Sequence, residues 1–108
     1  MAGPSILFVI DGLEFGGGER LFLQLSSELR DRYHVFVAAS SGGTFAHEVN
    51  KLGIELFSVN MTQKLSLKPI RRISHIIRHN MIDLVHSQGA RADFFARLAG
   101  RTAGWANV

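Results

Sequence analysis

Four glycines, Gly12, Gly16, Gly17 and Gly18, crowd the stretch IDGLEFGGGER between Ile10 and Arg20. The apolar run SILFVI precedes them and an amphipathic pattern follows, so the loop joins a strand to a helix. A glycine-rich turn at such a place lets a ligand approach the backbone, and phosphate is the chemistry to test first. The dinucleotide spacing G-x-G-x-x-G fails, because Glu14 stands two residues after Gly12. The P-loop spacing fails as well. Gly12 and Gly17 fit it, but Gly18 and Glu19 stand where the lysine and the hydroxyl residue belong. Two readings of Gly16–Gly18 stay open. Their amides open a helix and suit an anion or a polar ligand, or the turn simply lets the helix pack closely on its strand. Glu19 in the first turn suits the helix dipole, yet it would repel a phosphate placed beside it.

Five histidines raise the question of a metal. His75 and His79 are four apart on a helical pattern and share a face. The residues between them, IIR, lack the glutamate of a zinc hydrolase motif, and no third ligand is evident, so no metal site is expected. The same pattern, KPIRRISHIIRHN, carries Lys68, Arg71, Arg72 and Arg78 beside its isoleucines. A solvated surface helix with a buried isoleucine stripe accounts for it. The sharper alternative is a cationic face that docks on anionic lipid. Nucleic acid is not expected, since no aromatic residue interleaves with the basic ones to stack on bases.

Strand and helix patterns alternate four times around these residues. Ser5–Asp11 reads as a short strand buried on both faces, and Tyr33–Ala39, Ile54–Val59 and Ile82–His86 read as three more strands. Leu21, Phe22, Leu25 and Leu29 define a first helix, and Thr44 is placed to cap a short second one ending at Leu52, with Gly53 as its left-handed stop. Ser66 caps a third, with Pro69 in its first turn, Ile70, Ile73, Ile76 and Ile77 as its stripe, and an end near Asn80. Arg91–Ala99 forms a fourth, with Phe94, Phe95 and Leu98 inward. The fold class is therefore α/β: a Rossmann-like three-layer sandwich with a mostly parallel sheet in the order 3-2-1-4. In that order the switch point falls between strands 1 and 4, and Gly12–Gly18 faces Ser87–Arg91 across the ligand crevice.

The whole chain, 108 residues, makes one domain, and its 46% apolar content supplies one core. With no cysteine there is no disulfide or thiolate chemistry, and no apolar run reaches the length of about 18 that a membrane helix needs. The start, Met-Ala-Gly-Pro, is unlike a signal peptide, so a cytoplasmic protein is expected, at the membrane surface if the basic helix docks there. The formal charge of +3 is mild and matters only if it is concentrated on one surface.

Two separated segments resemble one family. GGGER at Gly16–Arg20 resembles the G-G-x-E-R signature of GT-B glycosyltransferases of the family 4 type. IDLVHSQGARADFFARLAG at Ile82–Gly100 resembles that family's D-V-V-H-x-H strand and the helix after it, and the order of elements between agrees. The resemblance implies transfer of a sugar from a nucleotide-sugar to a glycan or lipid-linked acceptor, with retention and without a metal or other cofactor. It implies two Rossmann-like domains facing a cleft, of which this would be the N-terminal, acceptor-side one. Carried over by position, Gly16, Gly17 and Gly18 approach the donor diphosphate and sugar. His86, Ser87, Gln88, Gly89 and Arg91 line the acceptor side, with His86 more a structural residue at its strand end. The second histidine of H-x-H falls on Gln88, which can hydrogen-bond but cannot titrate.

The family's C-terminal donor domain and its E-x7-E motif have no counterpart, and GWANV stands about where a fifth strand should begin. The expectation is a truncated domain that is catalytically incomplete alone, because half a cleft cannot position two reactants. The rival expectation is a stand-alone, non-catalytic binding or interaction module. An unfinished sheet would leave a strand edge open for pairing with a second copy.

Overall fold

The central strand, β1 (Ser5–Ile10), is buried along all but its first residue, as an apolar run flanked on both sides must be. The computed structural model describes residues 3–11, 17–40, 43–62 and 66–104. Strand β2 (His34–Ala39) pairs parallel with β1, Leu7 beside Phe36 and Val9 beside Ala38. On the outer side of β2 lies β3 (Glu55–Ser58), and on the other side of β1 lies β4 (Leu84–Gln88), both parallel. The order β3-β2-β1-β4 is the one the sequence pattern implies. The fifth strand anticipated near GWANV falls at 105–108, outside the described residues.

Alternation along the strands builds two separate cores. Ile6, Phe8 and Ile10 join Val35, Val37 and Ala39 on one face, under Phe22 of α1 (Gly17–Leu29) and Phe45 and Val49 of α2 (Thr44–Lys51). Leu7 and Val9 join Phe36, Ala38 and Val85 on the other, under Ile73, Ile76 and Ile77 of α3 (Lys68–His79) and Phe95 of α4 (Ala90–Thr102). The fully buried Ala92, Ala96 and Ala99 form a small-residue stripe that lets α4 lie close to its neighbours. Three layers with helices on both faces result.

Several helix details differ from the sequence pattern. Leu21 and Leu25 are exposed; Phe22 and Ser26 are buried, with Leu23 and Leu29 half-buried against the same core, and Ser26 Oγ donates to the Leu23 carbonyl at 3.1 Å. On α4, Phe95 is buried while its neighbour Phe94 is exposed. Gly43, not Thr44, is the N-cap of α2, and Thr44 is the first helical residue. Ser66 stands one place before the N-cap Leu67, although its Oγ does accept the Lys68 N–H at 3.3 Å.

Both α2 and α3 close by the same pair of backbone bonds. At α2 the left-handed position is Gly53, φ 75°, with its N–H to Asn50 O at 3.0 Å and Ile54 N–H to Val49 O at 3.4 Å. At α3 it is Met81, φ 52°, with its N–H to Arg78 O at 3.3 Å and Ile82 N–H to Ile77 O at 3.0 Å. A side-chain residue pays about 1 kcal/mol for that conformation, and the exposed Met81 recovers little of it through contacts. Met81→Gly is therefore expected to stabilise the fold by about 1 kcal/mol, seen as a higher urea midpoint at unchanged slope.

Candidate functional site

Because all four strands are parallel, their carboxyl ends lie along one edge of the sheet. Helix α1, after β1, covers one face and α4, after β4, covers the other, so the switch point lies between these adjacent strands. The pairing runs to the end of both strands: Phe8 beside His86, Val9 beside Ser87, Ile10 beside Gln88. Ser87 and Gln88 thus belong to β4 and not to a loop, and Gly89 alone makes the turn into α4.

Arg91, in the first turn of α4, reaches back to Asp11 just past β1, with Nη1 3.6 Å from Oδ2. The pair is partly exposed and adds little stability, but it ties the two strand ends across the switch point. Ser87 Oγ donates to Asp93 Oδ1 at 2.5 Å, a short charge-assisted bond. With its proton committed there, Ser87 can only accept from a further partner. The next strand end joins in: the Ser40 N–H donates to Asp11 O at 3.1 Å. Asp11 Oδ1 and Ser40 Oγ are buried and have no partner among the described residues. The edge therefore holds unused hydrogen-bonding capacity.

The structure brings Ser87, Gln88, Gly89 and Arg91 together at this edge and adds Asp11 and Asp93, which sequence reasoning passed over. The signals were an aspartate closing the first strand and an acid in the first turn of the last helix. His86 sits on the α1 side, its ring 5.3 Å from that of Phe8. Gly17 and Gly18 begin α1, and Gly16 lies outside the described residues. Away from the switch point, Lys68, Arg71, Arg72 and Arg78 are all exposed on α3, with His75 and His79 stacked at 5.3 Å on the same side. The Arg78 guanidinium donates to the Thr102 carbonyl. Among the described residues, no three metal-ligating side chains converge, and no helix is long and apolar enough to cross a membrane.

A doubly wound parallel sheet with polar groups gathered at its switch point defines a Rossmann-like domain. The chain belongs to glycosyltransferase family 4, whose model, Glycosyltransferase Family 4, matches residues 15–107. Its fold is similar to that of a glycosyltransferase from Rickettsia africae, with a TM-score of 0.79 and 23% identity over 95% of this chain and 28% of that one. It is also similar to MurG of Acinetobacter baumannii, with a TM-score of 0.77 and 16% identity over 94% of this chain and 33% of that one. Anabaena Alr3699/HepE, solved with UDP and glucose, gives a TM-score of 0.71 and 19% identity over 94% of this chain and 28% of that one. The chain thus spans a third or less of the length of these structures. No curated protein matches it. A partial glycosyltransferase domain fits these findings, and they do not favour a stand-alone, non-catalytic module.

Proposed function

We propose that this chain is the acceptor-side part of a glycosyltransferase that transfers a sugar from a nucleotide-sugar, with retention and without a metal. The carrying observation is that one family match spans both Gly16–Gly18 and the β4–α4 edge. HepE, which shares the fold, was solved with UDP-glucose, which makes a uridine-diphosphate sugar the first donor to test. In this reading Gly16–Gly18 approach the donor diphosphate. Ser87, Gln88 and Arg91 line the acceptor side, Gln88 by hydrogen bonding alone, and Ser87 accepts from an acceptor hydroxyl. The donor's nucleotide is held mainly by the other half of the enzyme, so the 108-residue chain is expected to bind but not to turn over.

An amide NMR titration of the chain with UDP-glucose and GDP-mannose tests this. Shifts centred on 16–20 and 87–91 are expected. Shifts that leave both segments untouched would overturn the placement, and robust transfer by the chain alone would overturn its incompleteness.

A further inference from the structure

We propose that the cavity between the end of β3 and the start of α3 binds a phosphate ester. The cavity has a volume of about 400 Å³, and Ser58, Asn60, Ser66, Lys68, Pro69 and Arg72 line it. That volume exceeds a phosphate group and leaves room for the organic part of a small ester.

The hydrogen-bonding state of the lining residues selects the ligand. Asn60 Oδ1 already accepts from the Thr62 N–H at 3.0 Å and from Thr62 Oγ1 at 2.6 Å, so the side-chain amide N–H groups are what Asn60 offers the cavity. Ser66 Oγ already accepts from the Lys68 N–H, which leaves its own proton to donate. Lys68 and Arg72 are donors only. Four of the polar groups around the cavity are therefore poised to donate, and no carboxylate is among the described residues that line it. A neutral sugar hydroxyl both donates and accepts, whereas a phosphate ester at neutral pH mainly accepts and carries the charge that two cations call for.

Electrostatics points the same way. Lys68 and Arg72 lie four apart on one face of α3, where like charges repel. Among the described residues neither forms an ion pair with a carboxylate. The Arg72 guanidinium lies 5.7 Å from the centre of the Phe57 ring, a cation–π contact that helps hold the side chain at the cavity wall. A bound dianion would relieve the repulsion.

The cavity opens at the same carboxyl edge as the switch point, two strands away and so about 10 Å across the sheet. That the phosphate belongs to the sugar acceptor rests on the transferase reading. That the cavity binds it does not.

The test uses the whole chain and no sugar donor, so its failure would leave the transferase reading standing. In an amide titration with glycerol 3-phosphate, saturable shifts are expected at Ser58, Asn60, Ser66, Lys68 and Arg72, and none with glycerol. Lys68→Gln and Arg72→Gln should each weaken binding about tenfold, the loss of one charge-assisted hydrogen bond. Arg71→Gln removes the same charge from α3 outside the cavity and should change binding by less than about twofold. Equal losses in all three variants, or no saturable shift at the cavity, would overturn the proposal.

A second arm separates the sources of the phosphate. Sedimentation with phosphatidylglycerol vesicles but not phosphatidylcholine vesicles, competed by glycerol 3-phosphate, assigns the cavity to a lipid headgroup. Glycerol 3-phosphate binding without sedimentation assigns it to a soluble ester. Sedimentation that glycerol 3-phosphate does not compete, with no shift at the cavity, would place the charge on the surface of α3 and overturn the site.

Discussion

Phe95→Ala should cost about 3–5 kcal/mol, whereas Phe94→Ala, the same change one residue earlier, should cost about 1 kcal/mol. Phe95 is 0% exposed in the core under α3 and α4, and Phe94 is 50% exposed. The first truncation leaves a cavity that the close-packed alanines of α4 cannot refill by moving inward. The second loses part of an edge-to-face ring contact at 5.3 Å and some half-buried area. Domains of this size hold about 5–15 kcal/mol in all, so Phe95→Ala removes a large share of what keeps the chain folded. Urea unfolding followed by circular dichroism reads both as midpoint shifts at constant slope. Equal costs would mean that α4 presents a different face to the sheet.

That pair also shows where the sequence pattern stops being informative. Phe94, Phe95 and Leu98 all fit an apolar stripe, but a helix lying on a sheet has room for one large ring where small residues surround it. The first helix repeats the lesson. Leucines at 21, 23, 25 and 29 put apolar residues on several faces, and spacing alone cannot choose among them. The choice is made by volume. Phe8, Phe22 and Phe45 fill the middle of that layer, with ring centres 4.7 and 5.7 Å apart, so the fully buried position one turn on from Phe22 takes the small Ser26, while Leu23 and Leu29 pack half-buried at its margin. The strand order, by contrast, was legible, because alternation of elements and right-handed crossovers leave few ways to arrange four parallel strands.

The site was legible in its location and not in its contacts. Strand order alone puts the ends of β1 and β4 side by side. The apolar pattern ends the fourth strand at His86, but pairing with β1 carries it on to Gln88. The links Asp11–Arg91 and Ser87–Asp93 join residues on different elements, and neither member of a pair announces its partner in the sequence. The cavity beside α3 was hidden for a related reason. Its character depends on which atoms of Asn60 and Ser66 are already used by local turns. Residue type gives the inventory of donors and acceptors, and only the fold shows which are spent.

Gly89→Ala is expected to destabilise the chain by about 1–3 kcal/mol and to move the switch-point residues with it. Gly89 has φ 99° and ψ 153°, a region essentially closed to residues with a side chain. Crowding is not the cause, since a Cβ built there meets nothing within 4 Å. Gly43 provides the control: it also caps a helix, and a Cβ there also meets nothing within 4 Å, but its φ of 177° is extended backbone that alanine adopts. Gly43→Ala should be neutral or slightly stabilising, by up to about 1 kcal/mol, because it removes freedom from the unfolded chain. At Gly89 the strained alanine can relax only by shifting the turn between Gln88 and α4. That shift pulls on the Ser87–Asp93 bond and on the Asp11–Arg91 pair, which hold the same turn from either side. Amide shifts at Asp11, Gln88 and Arg91 should therefore change in Gly89→Ala and stay in place in Gly43→Ala. If the two variants were equally stable, the turn into α4 would have another low-energy route, and the edge would be less preorganised than its geometry implies.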